Sequence, residues 1–456
     1  MLEQTDAQPL RETGRARLRH FLADFARLED EFPGQYPHVI VRGEGPYLFD
    51  DAGNRLLDAG NHLGACNIGH GRARVAQAMA EQAARLEFSA LDSGNSHDAA
   101  IRFADRLAAL LPMDDACLSF CGSGSEGNEL AFKIARAFHA FRGEPGRVKI
   151  LSRAGSYHGS SYAGMAATGL DAFSADFGPR TPGFVRIPQP SHDRCPFCAN
   201  EVACTMACVE ATARIVDEEG PGTIAAIVAE PVAIPQAVKV PPPDYWPAMA
   251  EIARKAGALL IVDEVVTGFG RTGRMFGCDH WGIRPDIMVM AKGISSGYVP
   301  LGAVATSGRV NAAFADRPLL HLNTFAGHPV ACAAGQAVLD ILEEEDLAGN
   351  AARLEPVLRR HLEAIGDAVP QLLQVTVIGL MASVEVDGSA APDMARLIRR
   401  IRHEAHANGL LVRVNPDGTR ATAFFYPPLD VTDEDLVRGA AALGRAFAAA
   451  LAAEGA

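Results

Sequence analysis

A run of small residues stands between a strand-like and a helix-like segment near residue 121. The sequence there is CGSGSEGNELAFKIARAF, directly after the apolar run ACLSF. At such a junction, free backbone N–H groups and the positive end of the helix dipole can bind a phosphate group. We therefore predict that Ser123, Gly124 and Ser125 form a phosphate-binding turn.

The same segment allows a second interpretation, a dinucleotide-binding fold, because Gly122, Gly124 and Gly127 fit the G-x-G-x-x-G spacing. Such folds carry an acidic residue about 20 positions later, at the end of the next strand. In this chain VKILSRAG offers Ser152 and Arg153 instead, and the segment also lacks the lysine of a P-loop. These two absences argue against a nucleotide site.

A carboxylate and an amine end two later apolar runs. Asp263 closes GALLIVD, and Lys292 closes DIMVMAK. Because ligands bind at the carboxyl ends of parallel strands, we expect both side chains to face one crevice. The pair suits pyridoxal 5'-phosphate (PLP), since a carboxylate keeps the pyridine nitrogen protonated and an amine forms a Schiff base. Either residue alone could be a charged strand end, but together with the phosphate-binding turn they indicate PLP.

From about residue 40 to residue 430 the sequence resembles the class III aminotransferases. The similarity is strongest in VDEVVTGFGRTGRMFG and in PDIMVMAKGISSGYVPLGAV. The resemblance implies the PLP-dependent transferase fold type I, with the active site at a homodimer interface. It also implies PLP as cofactor, a small-molecule amine donor and a keto-acid acceptor.

The resemblance assigns roles to residues on both faces of the cofactor ring. It implies that Asp263 pairs with the pyridine nitrogen and that Val265 packs under the ring. Lys292 would form the Schiff base and move the substrate proton. Tyr157 of SYHG would stack on the opposite face, with His158 beside it.

Other residues would bind substrate or complete the site. By the resemblance, Glu230 of AEP lies beside the cofactor and substrate, and Arg413 binds a substrate carboxylate. An arginine suits a carboxylate because its planar fork binds both oxygens. Thr324 of NTFAGHP would reach the phosphate in the partner subunit. Leu63 lies in a segment similar to one that lines the substrate site, although the aromatic residue that many amine-specific members carry there is missing.

The segment SGYVPLGAV is most similar to the omega-aminotransferase branch, which implies pyruvate as acceptor and amines whose amino group is not next to a carboxylate. The same scaffold also hosts PLP-dependent lyases, decarboxylases and racemases or epimerases, so such an enzyme is the alternative. A non-catalytic binding protein is a third hypothesis, and the presence of Lys292 and Asp263 argues against it.

Alternating strand-like and helix-like runs predict the elements that position these residues. The pattern favours an α/β fold with a mainly parallel mixed sheet covered by helices on both faces. We expect the large, cofactor-binding domain at 65–330. Residues 1–64, which include the hairpin-like YLFDDAGNRLLD, and residues 331–456 are expected to form one small α+β domain together.

Composition restricts the class of protein. The net charge of −13 and the lack of a dense Lys/Arg run argue against nucleic-acid binding. The start of the chain lacks the apolar core of a secretion signal, and no stretch reaches roughly 18 uninterrupted apolar residues, so we expect no membrane partner and a cytoplasmic location.

Nine cysteines in a long chain without a signal peptide are typical of free thiols in a reducing compartment. Four of them lie in RCPFCANEVACTMAC: Cys195, Cys198, Cys204 and Cys208. This density could hold zinc, although the spacing matches no standard motif. The alternative is a loop of reduced thiols with Cys204 and Cys208 on one helix face.

Overall fold

The computed structural model describes residues 38–60, 64–92, 94–190, 197–198 and 204–455. In chain order the strands are β1 (Ile40–Glu44), β2 (Tyr47–Asp50), β3 (Arg55–Asp58), β4 (Cys117–Cys121), β5 (Lys149–Arg153), β6 (Phe184–Ile187), β7 (Ile224–Ala229), β8 (Leu259–Asp263), β9 (Ile287–Met290), β10 (Gly302–Thr306), β11 (Leu372–Ile378), β12 (Met381–Asp387), β13 (Leu410–Leu411), β14 (Arg413–Asp417) and β15 (Arg420–Phe425). The α-helices are α1 (Ala73–Arg85), α2 (Asp98–Ala108), α3 (Gly124–Phe141), α4 (Tyr162–Ala167), α5 (Ala207–Glu219), α6 (Tyr245–Ala256), α7 (Gly308–Asn311), α8 (Pro329–Glu344), α9 (Leu347–Glu363), α10 (Met394–Ala407) and α11 (Asp433–Glu454).

A seven-stranded sheet, with strand order β4-β10-β9-β8-β7-β5-β6, holds the centre of the chain. The five strands from β9 to β6 are parallel to their neighbours, whereas β10 runs antiparallel to both β9 and β4. The predicted mainly parallel mixed sheet is therefore confirmed. The carboxyl ends of β5, β7, β8 and β9 lie along one edge, as the prediction of a shared crevice requires.

Helices cover both faces of this sheet, which explains why its central strands are apolar at every position. All six residues of β7 are buried. Ala226 and Val228 pack in one apolar cluster with α3, while Ile227 and Ala229 pack in another with Tyr245 of α6. Continuous apolar strands of this kind belong to sheets that water does not reach on either side.

Two smaller sheets are built from the ends of the chain. The first has the order β1-β2-β3-β13, and in it β3 pairs with β13 in parallel, with Leu57 opposite Leu410. The second has the order β11-β12-β15-β14, and its strands are antiparallel. The β3–β13 pairing joins segments from both ends of the chain, as the proposed small domain would require. The domain boundaries themselves remain a prediction.

Helix α11 is long and apolar enough to cross a membrane by length and composition alone. In the structure 56% of its apolar stretch of 18 residues is buried inside the protein, and the helix packs against α9 and α10. Its N-terminus is capped by Thr432, whose hydroxyl accepts a hydrogen bond from the Asp435 N–H group. We therefore interpret α11 as a core helix of the fold.

The cysteine-rich segment differs from one expectation. Cys204 and Cys208 do not share a helix face, because Met206 adopts a left-handed φ of 60° and α5 begins only at Ala207. Cys204 is exposed and precedes the helix, whereas Cys208 is buried in its first turn. Cys195 lies outside the described residues, so the zinc alternative remains a hypothesis.

Candidate active site

The turn before α3 has the form expected of an anion-binding helix end. Ser123 is the N-cap of α3, and its hydroxyl accepts a hydrogen bond from the Glu126 N–H group at 3.2 Å. The N–H groups of Gly124 and Ser125 belong to the first helical turn, where no partner exists within the helix. Gly124 has no room for a side chain, because a Cβ there would lie 2.9 Å from Val265 Cγ2. The glycine thus lets the Val265 side chain pack directly against the backbone of the turn.

The structure explains why residue 127 of α3 is a glycine. A Cβ at Gly127 would lie 2.8 Å from Val289 Cγ1 of β9. Glycine therefore lets α3 pack closely on the strand that leads to Lys292.

Asp263 ends β8 and is held by three hydrogen-bond donors. Its Oδ2 is 2.8 Å from Asn128 Nδ2 and 2.8 Å from His158 Nδ1, and its Oδ1 accepts the Val265 N–H group at 3.1 Å. Asp263, His158 and Asn128 are each at most 3% exposed. A buried carboxylate with this many partners keeps one orientation.

Lys292 follows β9 and has a strained backbone, with a left-handed φ of 49°. This conformation is uncommon for a residue with a side chain, and such strain clusters at functional sites. Removal from bulk water lowers the pKa of Lys292 to about 8, because this desolvation and the charges of Arg413 and Arg271 outweigh the attraction of Asp263. The amine therefore loses its proton more readily than an ordinary lysine.

Glu230 follows β7 and joins two other segments. Its Oε2 accepts a hydrogen bond from Arg153 Nη2 at 2.9 Å, and its Oε1 accepts the Tyr157 N–H group at 3.0 Å. Arg153 is completely buried at the end of β5. Burial lowers the pKa of this guanidinium, but the charges of Tyr245 and Glu230 outweigh that effect and raise it above its ordinary value. Glu230 and Arg153 thus fix the backbone that presents Tyr157.

The outer part of the site combines aromatic, apolar and cationic groups. Tyr157 and Phe173 meet edge to face, with ring centroids 5.3 Å apart. Arg413, at the start of β14, donates from Nε to Asn415 Oδ1 at 3.2 Å. The apolar wall is formed by Phe173, Val232, Ile234, Pro235, Val299 and Leu301.

The centre of the site is one cavity of about 600 Å³. It brings together the predicted residues Ser123, Gly124, Ser125, Tyr157, His158, Glu230, Asp263, Val265, Lys292 and Arg413. Thr324 does not line this cavity and is exposed. Leu63 lies outside the described residues.

The sequence-based prediction of the site missed two residues. Asn128 donates a hydrogen bond to Asp263. In the sequence it is visible only as the last residue of GSEGN, one helical turn after Gly124 on α3. Arg153 holds Glu230, and the only sign was an arginine at the end of a buried strand. Both act on other site residues, and such contacts depend on how distant segments meet.

Comparison with known proteins relates this fold and cavity to one family. The family model for aminotransferase class III matches residues 31–447. A probable aminotransferase of Mycobacterium tuberculosis is 37% identical over 393 residues, which cover 84% of each chain.

Solved structures agree with this relation. A thermostable (S)-enantioselective omega-transaminase from Thermomicrobium roseum superimposes with a TM-score of 0.89 at 38% identity, covering 98% of this chain and all of the other. A PLP-bound amine transaminase from an uncultivated Pseudomonas species gives a TM-score of 0.85 at 36% identity, covering 94% of this chain and 97% of the other.

Proposed function

The chain belongs to the class III aminotransferases, and from this membership we propose that it binds PLP and transfers the amino group of an amine or amino acid to pyruvate. The observation that carries the proposal is the convergence of Lys292, Asp263 and the Ser123–Ser125 turn on one cavity. These are an amine, a carboxylate and an anion-binding turn, and PLP requires all three.

The residues present fit PLP. Ser123, Gly124 and Ser125 line the cavity at the N-terminus of α3, where backbone N–H groups suit a phosphate group. Asp263 is a buried carboxylate in the same cavity, suited to a protonated ring nitrogen. Val265 and Tyr157 both line the cavity and could contact the two faces of a ring. Lys292 would hold the cofactor covalently.

When bound, PLP supplies an electron sink for the charge left on the substrate carbon after a proton is removed. The protein's part is to move that proton and to hold the ring. Lys292 Nζ is the base, and its lowered pKa leaves part of the amine neutral near pH 7.5. Asp263 holds the proton on the ring nitrogen, while Asn128 and His158 keep its carboxylate in place.

The wall of the cavity supports the proposed substrates. The guanidinium of Arg413 is the cation of the outer part of the cavity and could bind the carboxylate of a keto acid. The apolar residues around it, such as Val232 and Leu301, suit the hydrocarbon part of an amine donor. Pyruvate as acceptor follows from the similarity to the omega-aminotransferase branch.

We further propose that the active enzyme is a homodimer. Thr324 stands outside the cavity of its own chain, in a segment with strongly exposed apolar side chains. Leu320 is 93% exposed, Leu322 87% and Phe325 65%. A patch of this kind is typical of an interface, and its position would let Thr324 reach a second subunit.

The proposal is tested with purified protein, a panel of amines and pyruvate, and alanine as the measured product. We expect alanine only when both an amine and pyruvate are present, together with an absorbance band of the bound cofactor. Lys292→Ala should lose both signals, whereas Lys255→Ala, which changes an exposed lysine of α6, should keep both. If products form from the amine without any keto acid, the enzyme is a lyase or decarboxylase and the proposal is wrong.

A further inference from the structure

Cys66 and His70, in the loop that precedes α1, form a chain of contacts with Asp58 at the end of β3. Cys66 Sγ is 3.6 Å from His70 Nδ1, and His70 Nε2 is 3.0 Å from Asp58 Oδ2. None of the three lines the active-site cavity. We propose that they form a reactive-thiol site, in which His70, held by Asp58, activates the Cys66 thiol for attack on oxidants and electrophiles.

The order of the three groups matches what activates a thiol. A thiolate is the nucleophilic form of cysteine, and an adjacent imidazolium stabilises it. Asp58, which is buried at the end of β3, accepts from one ring nitrogen of His70 and so directs the other nitrogen to the sulfur. Burial lowers the pKa of His70, but its hydrogen bonds to Asp58 and Cys66 outweigh this and raise it to about 10.

A second observation is a buried cation near the sulfur, which would stabilise negative charge there. Arg271 is completely buried, and among the described residues its Nε atom has no hydrogen-bond partner. The strongest attraction that this guanidinium receives comes from Cys66. An orphaned cationic donor in the interior is costly unless an anion lies nearby, and the thiolate is such an anion.

Other charged and titratable groups also face this cluster and influence the pH range over which the thiol is reactive. Tyr298 acts on Cys66 from the loop after β9, and Asp430 acts on His70 from the segment before α11. Arg72 lies between them, 3.3 Å from Asp430 Oδ2. Around the pair, Arg72 and Arg271 are the cations, and Asp58 and Asp430 are the anions. The two carboxylates compensate the positive charge of the His70 imidazolium.

The chain contains cysteines that serve as internal controls. Cys66 is buried, at 7% exposure, whereas the His70 side chain beside it is 21% exposed, so reagents would approach the sulfur from the side of the imidazole. Cys117, in β4, is exposed. Cys332 is completely buried, and this burial raises the pKa of its thiol to about 12. We expect ordinary reactivity at Cys117 and none at Cys332 in the folded protein.

Modification of Cys66 would disturb the active site through its neighbours in sequence. The Asn67 side chain donates to Phe269 O at 2.7 Å, and the Ile68 N–H group donates to Ser296 Oγ at 3.1 Å. Ser296 lies between Ser295 and Gly297, which line the cavity.

With hydrogen peroxide, the sulfur would attack one oxygen and the O–O bond would break, giving a sulfenic acid. The departing hydroxide would take a proton from His70 and leave as water.

The test measures alkylation of the cofactor-loaded protein by iodoacetamide, in which an S–C bond forms and iodide leaves. Mass spectrometry of peptides gives the rate at each cysteine between pH 5.5 and 9. An ordinary exposed thiol reacts about tenfold faster with each pH unit until it is mostly deprotonated, near pH 8.5. Cys117 is the reference for this profile. The rate at Cys66 should be nearly constant over this range and more than about tenfold that of Cys117 at pH 6.

Two variants separate thiol activation from simple accessibility. His70→Asn should give Cys66 the same rising pH profile as Cys117, and Asp58→Asn should do so in part. An ordinary pH profile at Cys66 in the unchanged protein, or a Cys66 that stays unlabelled while Cys117 reacts, would overturn the proposal. The measurement does not use enzyme activity, so it stands apart from the proposed transaminase function.

Discussion

Asp263 is the residue at which the polar contacts of the site converge. Asn128, His158 and the Val265 backbone all donate to its carboxylate, so its orientation is fixed before any ligand arrives. Electrostatic groups that are already in place need no rearrangement during a reaction. The two side chains that hold Asp263 should therefore matter for rate more than for folding.

Replacing Asp263 tests its role directly. Asp263→Asn keeps the shape but removes the charge, so the ring nitrogen would no longer stay protonated. We expect kcat to fall by about 10² to 10⁴, with little change in the amount of bound cofactor. Steady-state kinetics and absorbance measure the two quantities. Asp367→Asn, at an exposed carboxylate, is the control, and an Asp263→Asn enzyme with unchanged kcat would contradict the assigned role.

The pKa of Lys292 predicts how cofactor uptake depends on pH. Only the neutral amine can attack the PLP carbonyl, and desolvation lowers the pKa of Lys292 to about 8. The rate of PLP uptake by the apoenzyme should therefore rise up to about pH 8 and become constant above it, which stopped-flow absorbance can follow. Arg413→Gln should move this plateau to higher pH, because the Arg413 charge helps to lower the pKa. A rate that keeps rising to pH 10 would show an ordinary lysine.

At the residue scale, the sequence predicted the groups that line the cavity better than those that hold these groups. Lys292 and Asp263 stand at strand ends, where the pattern of apolar runs makes them visible. Arg153 and Asn128 are visible only through their partners, Glu230 and Asp263, which lie 77 and 135 residues away in sequence. Contacts over such separations depend on tertiary packing, which no local pattern contains.

At the scale of elements, the close packing of α3 on β9 makes a testable demand on Gly127. Gly127→Ala adds only one methyl group but places it 2.8 Å from Val289 Cγ1. We expect a loss of about 1 to 3 kcal/mol in the free energy of unfolding, as for other overpacked cores. Urea unfolding followed by circular dichroism gives this value. Gly146→Ala is the matched control, since a Cβ there meets nothing within 4 Å. An unchanged midpoint for Gly127→Ala would show that α3 can shift.

The elements of the large sheet were largely predictable, but their arrangement was only partly so. The apolar runs at β7, β8 and β9 appear where the sequence indicated. The reversal of β10, which runs antiparallel between β9 and β4, leaves no mark on the composition of GAVATS. Strand β6 was not predicted, because FVRI is only partly buried at the edge of the sheet and carries an arginine. Edge strands have weaker patterns because one side lacks a neighbour.

At the scale of the whole molecule, the proposed homodimer predicts complementation between two inactive variants. If Thr324 serves the partner's site, a dimer of one Lys292→Ala subunit and one Thr324→Asp subunit has two different sites. One site carries both substitutions, and the other is intact. Mixing the two proteins under subunit exchange should restore about a quarter of the wild-type activity per protein, because half of the dimers would be mixed. If both residues belong to one chain's site, mixing restores nothing. Native mass spectrometry, which separates the three dimers by mass, would confirm that mixed dimers form.

The parallel pairing of β3 with β13 has a consequence for biosynthesis. Leu57 leaves the ribosome 353 residues before its partner Leu410. At translation rates of about 5 to 20 residues per second, the first hairpin waits roughly 20 to 70 s with one edge unpaired. An uncovered strand edge on a nascent chain can pair with other chains. Productive synthesis of this protein should therefore depend on chaperones that protect the emerging N-terminal strands until the C-terminal segment arrives.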